Sequence, residues 1–208
     1  MSAEFGRRWS NPMTPIPARR DRVSLADFEE MLADKPEGEK WKLIDGHVYK
    51  LQVGAAWEHH VIIDNICLML SNHFRATGRP CRAFRESSYL RDPRIELSSL
   101  PDVMVRCGPL APGQTSVADP IVLFEVVSKG SEAHDRLTKR IAYQRLASVK
   151  HYILVERDCV LVDHYIRRDA GWYGEPPLDA LDQKLTLDAL DLSLPVAEIY
   201  RDVFPATG

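Results

Sequence analysis

The chain has 208 residues, 45% hydrophobic and 27% charged, which fits one compact globular domain and excludes a disordered polymer. Its net charge of −3, from 27 basic and 30 acidic residues, argues against a uniformly basic nucleic-acid binder. The apolar stretches Val61–Leu70 and Ile121–Val127 are too short to span a bilayer, and the opening residues hold no apolar segment of signal-peptide type, so a cytoplasmic protein is expected. Cys67, Cys81, Cys107 and Cys159 form no CxxC pair and read as reduced thiols.

Residues 1–22 carry Pro12, Pro15 and Pro17 among arginines and small polar residues without periodicity, the pattern of a flexible arm ahead of a domain over 23–208. Ser24 with Asp27 is a capping-box variant opening a helix whose apolar residues are Leu25, Phe28, Met31 and Leu32; Pro36 and Gly38 stop it. Asp45-Gly46 between two β-prone runs predicts a hairpin over Trp41–Leu51. Ile62, Ile66, Met69, Leu70 and Phe74 recur at helical spacing, predicting a long helix from about Ala55 to Thr77, ended by Gly78 and Pro80. Short strands are expected at Cys81–Arg85, Ser88–Arg91 and Asp102–Cys107. Ile121–Val127, apolar on both faces, reads as a central strand. A helix over Glu132–Leu146, strands at His151–Glu156, Val160–Arg167 and near Trp172, and a short helix from Pro195 complete the chain. This order predicts a mixed α/β domain of the α+β type around one sheet. The absence of GxGxxG, a Walker A loop and GxSxG excludes the common nucleotide-cofactor and α/β-hydrolase readings.

Glu125 interrupts an otherwise apolar strand and shares a side with Leu123 and Val127. A buried carboxylate is costly unless paired or bound to a cation. Asp102 begins a second apolar strand, so the two acids could hold a hard cation such as Mg²⁺. From spacing alone, an ion pair at Glu125 and a turn cap at Asp102 remain the alternative. In the following helix Asp135, Lys139 and Tyr143 are four apart and share a face, which suits either phosphate neutralisation or a surface ion pair. Between Arg75 and Arg94, six arginines (75, 79, 82, 85, 91, 94) face only Glu86 and Asp92, a local charge of +4. They are either phosphate contacts or solvated surface. Glu58-His59-His60 is not HExxH, so a zinc protease is not indicated.

Taken together, Leu43-Ile-Asp-Gly46, His59, Pro101-Asp102-Val103 and Glu125-Val-Val-Ser128 followed by Asp135-Arg136, Lys139 and Tyr143 resemble the bacterial restriction-endonuclease-like family of the PD-(D/E)XK nuclease superfamily, from about Ser24 to Val203. The resemblance implies a central mixed β-sheet flanked by helices, with Mg²⁺, or Mn²⁺ in its place, held by Asp102 and Glu125. The superfamily's usual lysine position is Val127 here, and the family pattern places that lysine at Lys139. Lys129, in Ser128-Lys-Gly-Ser131 where the family often has Ser-Pro-Ser, is a rival. His59 matches the family histidine, either lining the cleft or making a structural hydrogen bond. Lys42 stands where the family commonly has an acid. The expected activity is Mg²⁺-dependent endonucleolytic hydrolysis of DNA by a homodimer, with Asp102, Glu125 and Lys139 catalytic and His59, Asp135, Tyr143 and Lys129 auxiliary. Arg82, Arg85 and Arg91 would contact DNA. The alternative is a catalytically impaired module of the same fold that binds nucleic acid or a protein partner.

Overall fold

The computed structural model describes residues 14–15, 22–51, 55–86, 88–128 and 133–204. Its elements are β1 (Thr14–Pro15), α1 (Leu25–Ala33), β2 (Lys40–Ile44), β3 (His47–Leu51), α2 (Trp57–Thr77), β4 (Cys81–Arg85), β5 (Tyr89–Asp92), β6 (Leu97–Ser99) and β7 (Val103–Cys107). They continue with β8 (Ser116–Val117), β9 (Val122–Val127), α3 (Ala133–Gln144), β10 (His151–Glu156), β11 (Val162–Arg168), β12 (Gly171–Gly174), β13 (Lys184–Leu187), β14 (Leu192–Pro195) and α4 (Val196–Ile199). The arm expected at 1–22 falls largely outside the described residues. Within it, β1 pairs antiparallel with β3, and Arg22 donates to the Asp45 carboxylate at 2.8 Å.

The central sheet is mixed, in the order β12-β11-β10-β9-β7-β4, with β9 and β10 parallel and the other neighbours antiparallel. Both faces of β9 are covered, which is why its sequence is a continuous apolar run rather than an alternating one. Val122, Phe124 and Val126 pack with Ile62, Ile66, Leu70 and Phe74 of α2. On the other face, Leu123 and Val127 pack with Ala142, Tyr143 and Leu146 from α3 and the turn that follows. Phe124 is fully buried, and truncating such a side chain to Ala costs about 3–5 kcal/mol.

The sequence implies one sheet; the structure has a second of six strands, in the order β1-β3-β2-β6-β5-β8. Its members without a counterpart in the sequence reading are the two-residue β1 and β8 and the three-residue β6, too short to leave a periodic signal. Ile44, Leu90 and Leu97 of this sheet join the α3-side core, so α3 lies against both sheets. The hairpin turns at Asp45 and Gly46, with φ of 49° and 76°. A Cβ at Gly46 would meet the Arg22 Cβ at 2.8 Å, so glycine serves both the turn and the close approach. α1 begins as expected, with Ser24 Oγ accepting from Asp27 N at 3.1 Å. α2 ends at Gly78 in the left-handed conformation, φ 67°.

α3 is locked at its C-terminal end. Arg167 donates to the carbonyls of Gln144, Leu146 and Val149 at 2.6, 2.8 and 2.9 Å, and Trp172 Nε1 donates to Gln144 O at 3.1 Å. These bonds satisfy carbonyls that the helix leaves unpaired and fix the helix carrying Lys139 and Tyr143. Among the described residues no helix is long and apolar enough to cross a membrane. The reduced-thiol expectation is corrected at Cys81 and Cys107, which stand opposite each other in the β4–β7 register and are joined as a disulfide; Cys67 and Cys159 are free.

Candidate active site

Strand alternation turns Glu125 away from α2 and towards α3, where the sequence spacing has already set Lys139 and Tyr143 on one helix face. The three meet. Lys139 Nζ donates to Glu125 Oε2 at 2.6 Å, and Tyr143 Oη donates to Oε1 at 2.9 Å. Ser99 at the end of β6 completes the chain, its Oγ lying 2.7 Å from Tyr143 Oη. Glu125 is 1% exposed, and burial pushes its carboxyl above the usual range, with Asp102 adding to the rise and Lys139 and Lys42 opposing it. Burial and the neighbouring Glu125 raise the Tyr143 hydroxyl well above its ordinary value, so it stays protonated and donates.

Asp102 immediately precedes β7. The register Val103↔Phe124, carried one step further, sets Asp102 beside Glu125. Its Oδ2 accepts from the Val126 amide at 2.6 Å, which pins the carboxylate, and its Oδ1 lies 3.5 Å from His59 Nε2. Burial works to raise the Asp102 carboxyl, but the His59 hydrogen bond, the His59 and Lys139 charges and the Val126 amide hold it below the usual value. His59 is raised despite its burial, because Asp102 bonds and attracts its protonated form.

His59, in the first turn of α2, is joined by Glu86, which follows β4. Donor atoms of His59, Glu86 and Asp102 all lie within 4.8 Å of one another. An octahedral ion with bonds of about 2.1 Å spaces its donors roughly 3 to 4.2 Å apart, so this set fits a divalent cation with a small closure. Glu86 also pairs with Lys40 Nζ at 3.3 Å, an exposed contact that can yield. Glu86 and Ser99 carry no local motif in the sequence, and only the tertiary fold brings them to the site.

The remaining expected residues divide. Lys129 and the side chain of Asp135 lie outside the described residues. Lys42 is buried at 1% exposure, with its Nζ 5.8 Å from the Tyr49 ring centroid. The arginine island is less free than its local charge suggests. Arg85 pairs with Asp64 of α2, and Arg94 with Asp92. Arg91 pairs with Glu29 of α1 at 3.0 Å and lies over the Tyr89 ring. Arg82 is exposed and donates to its neighbour's carbonyl, Cys81 O, at 2.9 Å.

Comparison with known proteins agrees with this architecture. An "Uncharacterized protein slr1290" of Synechocystis sp. is 28% identical over 192 residues, covering 92% of this chain and 96% of that protein. A crystal structure from Anabaena variabilis ATCC 29413, described as "a putative nuclease belonging to DUF820", superposes with a TM-score of 0.69 at 16% identity, over 88% of this chain and 99% of that one. It shows the shared fold. The model of the Uma2 family, described as "Putative restriction endonuclease", matches residues 25–197, nearly the whole of the ordered core and every side chain of the Glu125 and Asp102 clusters. The chain belongs to the Uma2 family of restriction-endonuclease-like proteins.

Proposed function

We propose that the protein is a divalent-cation-dependent endonuclease that hydrolyses DNA phosphodiester bonds. The observation that carries this reading is the contact of Lys139 with Glu125 beside Asp102, in a chain of nuclease-like family and fold. Asp102 and Glu125 would face the cation, Mg²⁺ or Mn²⁺, which when bound supplies Lewis-acid polarisation of a phosphoryl oxygen. Lys139 holds an ammonium group on a rigid helix, where it compensates negative charge that accumulates on the phosphoryl group during attack. Tyr143, protonated and braced by Ser99, keeps Glu125 in one orientation. Asp102 is fixed through the Val126 amide, so its other carboxylate oxygen remains towards His59. Preorganisation of this kind matters because small misplacements of a catalytic group are costly.

Arg82 and Arg85 are exposed and would contact backbone phosphates, with affinity falling as salt rises. Arg91, paired and stacked, would contribute mainly by shaping the edge of that surface. A homodimer suits the cutting of two strands, and the cytoplasm is where such a substrate is met. Burial of Lys42 near Glu125 supports a second reading, in which the site has exchanged an acid for a cation and retains binding without full cleavage. Cleavage assays with Mg²⁺ and Mn²⁺ on wild type and Asp102→Ala separate the two readings, since only the first predicts cation-dependent products.

A further inference from the structure

We propose that His59 and Glu86, together with Asp102, are cation ligands, and that the imidazole makes the site prefer a first-row transition ion such as Mn²⁺ over Mg²⁺. The inference rests on the endonuclease reading for the place of the cation, but not for whether an ion binds there. Three separate elements converge on the site: the first turn of α2, the end of β4 and the start of β7. Such convergence differs from a run of acids along one surface, because each donor is set by its own scaffold.

Asp102 presents one oxygen only. Its Oδ2 is taken by the Val126 amide at 2.6 Å, which leaves Oδ1 towards His59. The separation of Oδ1 from His59 Nε2, 3.5 Å, is at the long limit of a hydrogen bond and matches that of two adjacent ligands on one ion. The side chains of His59 and Asp102 are only 14% and 12% exposed, so the site is shielded, and Glu86 beside them lies half-buried. Glu125 is not part of this triad; its two oxygens accept from Lys139 and Tyr143.

The donor chemistry then selects the ion. Mg²⁺ demands oxygen donors and dehydrates reluctantly, whereas first-row transition ions gain affinity from a nitrogen donor, least at Mn²⁺ and increasingly through Fe²⁺, Co²⁺ and Ni²⁺. One nitrogen and two carboxylates from the protein leave about three positions of an octahedron for water or phosphate oxygens. The cation would therefore enter from the His59–Glu86 side while Glu125 keeps its lysine and tyrosine partners.

The test is titration of the full chain with Mn²⁺ alone and with Mg²⁺ alone by calorimetry. It is run beside pulsed electron paramagnetic resonance of the Mn²⁺ complex to detect the nitrogen of a coordinated histidine. The expected result is Mn²⁺ bound at least tenfold more tightly than Mg²⁺, with a nitrogen signal. His59→Ala should remove that signal and weaken Mn²⁺ at least tenfold while changing Mg²⁺ far less. Glu86→Gln, at a half-exposed position where folding is not at stake, should weaken both ions. Wild-type protein that binds no Mn²⁺ would overturn the proposal. So would Mn²⁺ binding that is unchanged in Glu86→Gln and shows no nitrogen signal, since the ion would then sit on Asp102 and Glu125 alone. In that last case the endonuclease reading stands. Conversely, the expected ligand pattern in a protein that cuts no DNA keeps the ion site and removes the endonuclease reading.

Discussion

The ammonium of Lys139 lies 2.6 Å from Oε2 of Glu125, joining the third helix to the central strand of the main sheet. Lys139 stands fourteen residues beyond Glu125, so the contact depends on the path of the chain between them and on the anchoring of the helix by Arg167. Replacing Lys139 with Met should reduce DNA cleavage about 10²- to 10³-fold, the usual effect of removing one preorganised charge donor. Circular dichroism should confirm that the variant folds. Lys129→Met should cleave within a few-fold of wild type. An active Lys139→Met beside an inactive Lys129→Met would reverse the assignment.

Lys42 is a buried cation whose charge opposes the rise of the Glu125 carboxyl. Lys42→Met keeps the length of the side chain and removes the charge. The variant should lose about 1–3 kcal/mol of stability in urea unfolding at neutral pH, since a buried carboxylate loses part of its compensation. A stability equal to wild type would show that this ammonium does not support the acid.

The Cys81–Cys107 link closes a sequence separation of 26 residues. A loop of that length corresponds to about 3–4 kcal/mol from restricting the unfolded chain. Thermal melts with and without dithiothreitol should therefore differ by several degrees, and Cys81→Ser should match the reduced protein. Quantitative alkylation of both thiols in the untreated, folded protein would contradict the link.

His151 and His164 form a buried pair, with Nδ1 of the first 2.9 Å from Nε2 of the second. Burial, reinforced by the neighbouring His164, lowers His151 to about 4, and burial lowers His164 as well, with Asp188 and Glu175 opposing. Because the unfolded histidines titrate near 6.5, the unfolded chain binds more protons than the folded one between there and about 4. Stability should be retained above pH 6.5 and lost progressively as pH falls towards 4. His151→Gln should flatten that dependence when urea midpoints are compared across the same range. An unchanged slope would mean that other groups set the acid sensitivity.

Much of the scaffold could be read locally. The Asp45-Gly46 turn, the α2 stripe through Ile62, Ile66 and Leu70, and the apolar β9 each depend on neighbours within one element, so periodicity and turn chemistry suffice. The second sheet could not be read so, because β6 and β8 are two or three residues long and exist only through their partners. The same holds for charge. Arg85 and Arg91 looked unopposed in their segment because Asp64 and Glu29 come from two different helices. At the site, strand and helix periods place Glu125 on one side of its strand and Lys139 and Tyr143 on one helix face, while their assignment to one site comes from the family resemblance. Glu86 reaches His59 and Asp102 only through tertiary convergence, and the disulfide depends on a cross-strand register that spacing does not disclose.

The most direct measurement of the central claim is a cleavage assay on supercoiled and single-stranded DNA with Mg²⁺, Mn²⁺ or chelator, comparing wild type with Asp102→Ala. The account predicts nicked or linear product that requires the added cation and is lost in the variant. Circular dichroism should confirm that Asp102→Ala folds, since losing the acceptor of the buried Val126 amide costs it about 1–3 kcal/mol. Cation-independent cleavage, or equal cleavage by wild type and Asp102→Ala, would contradict it.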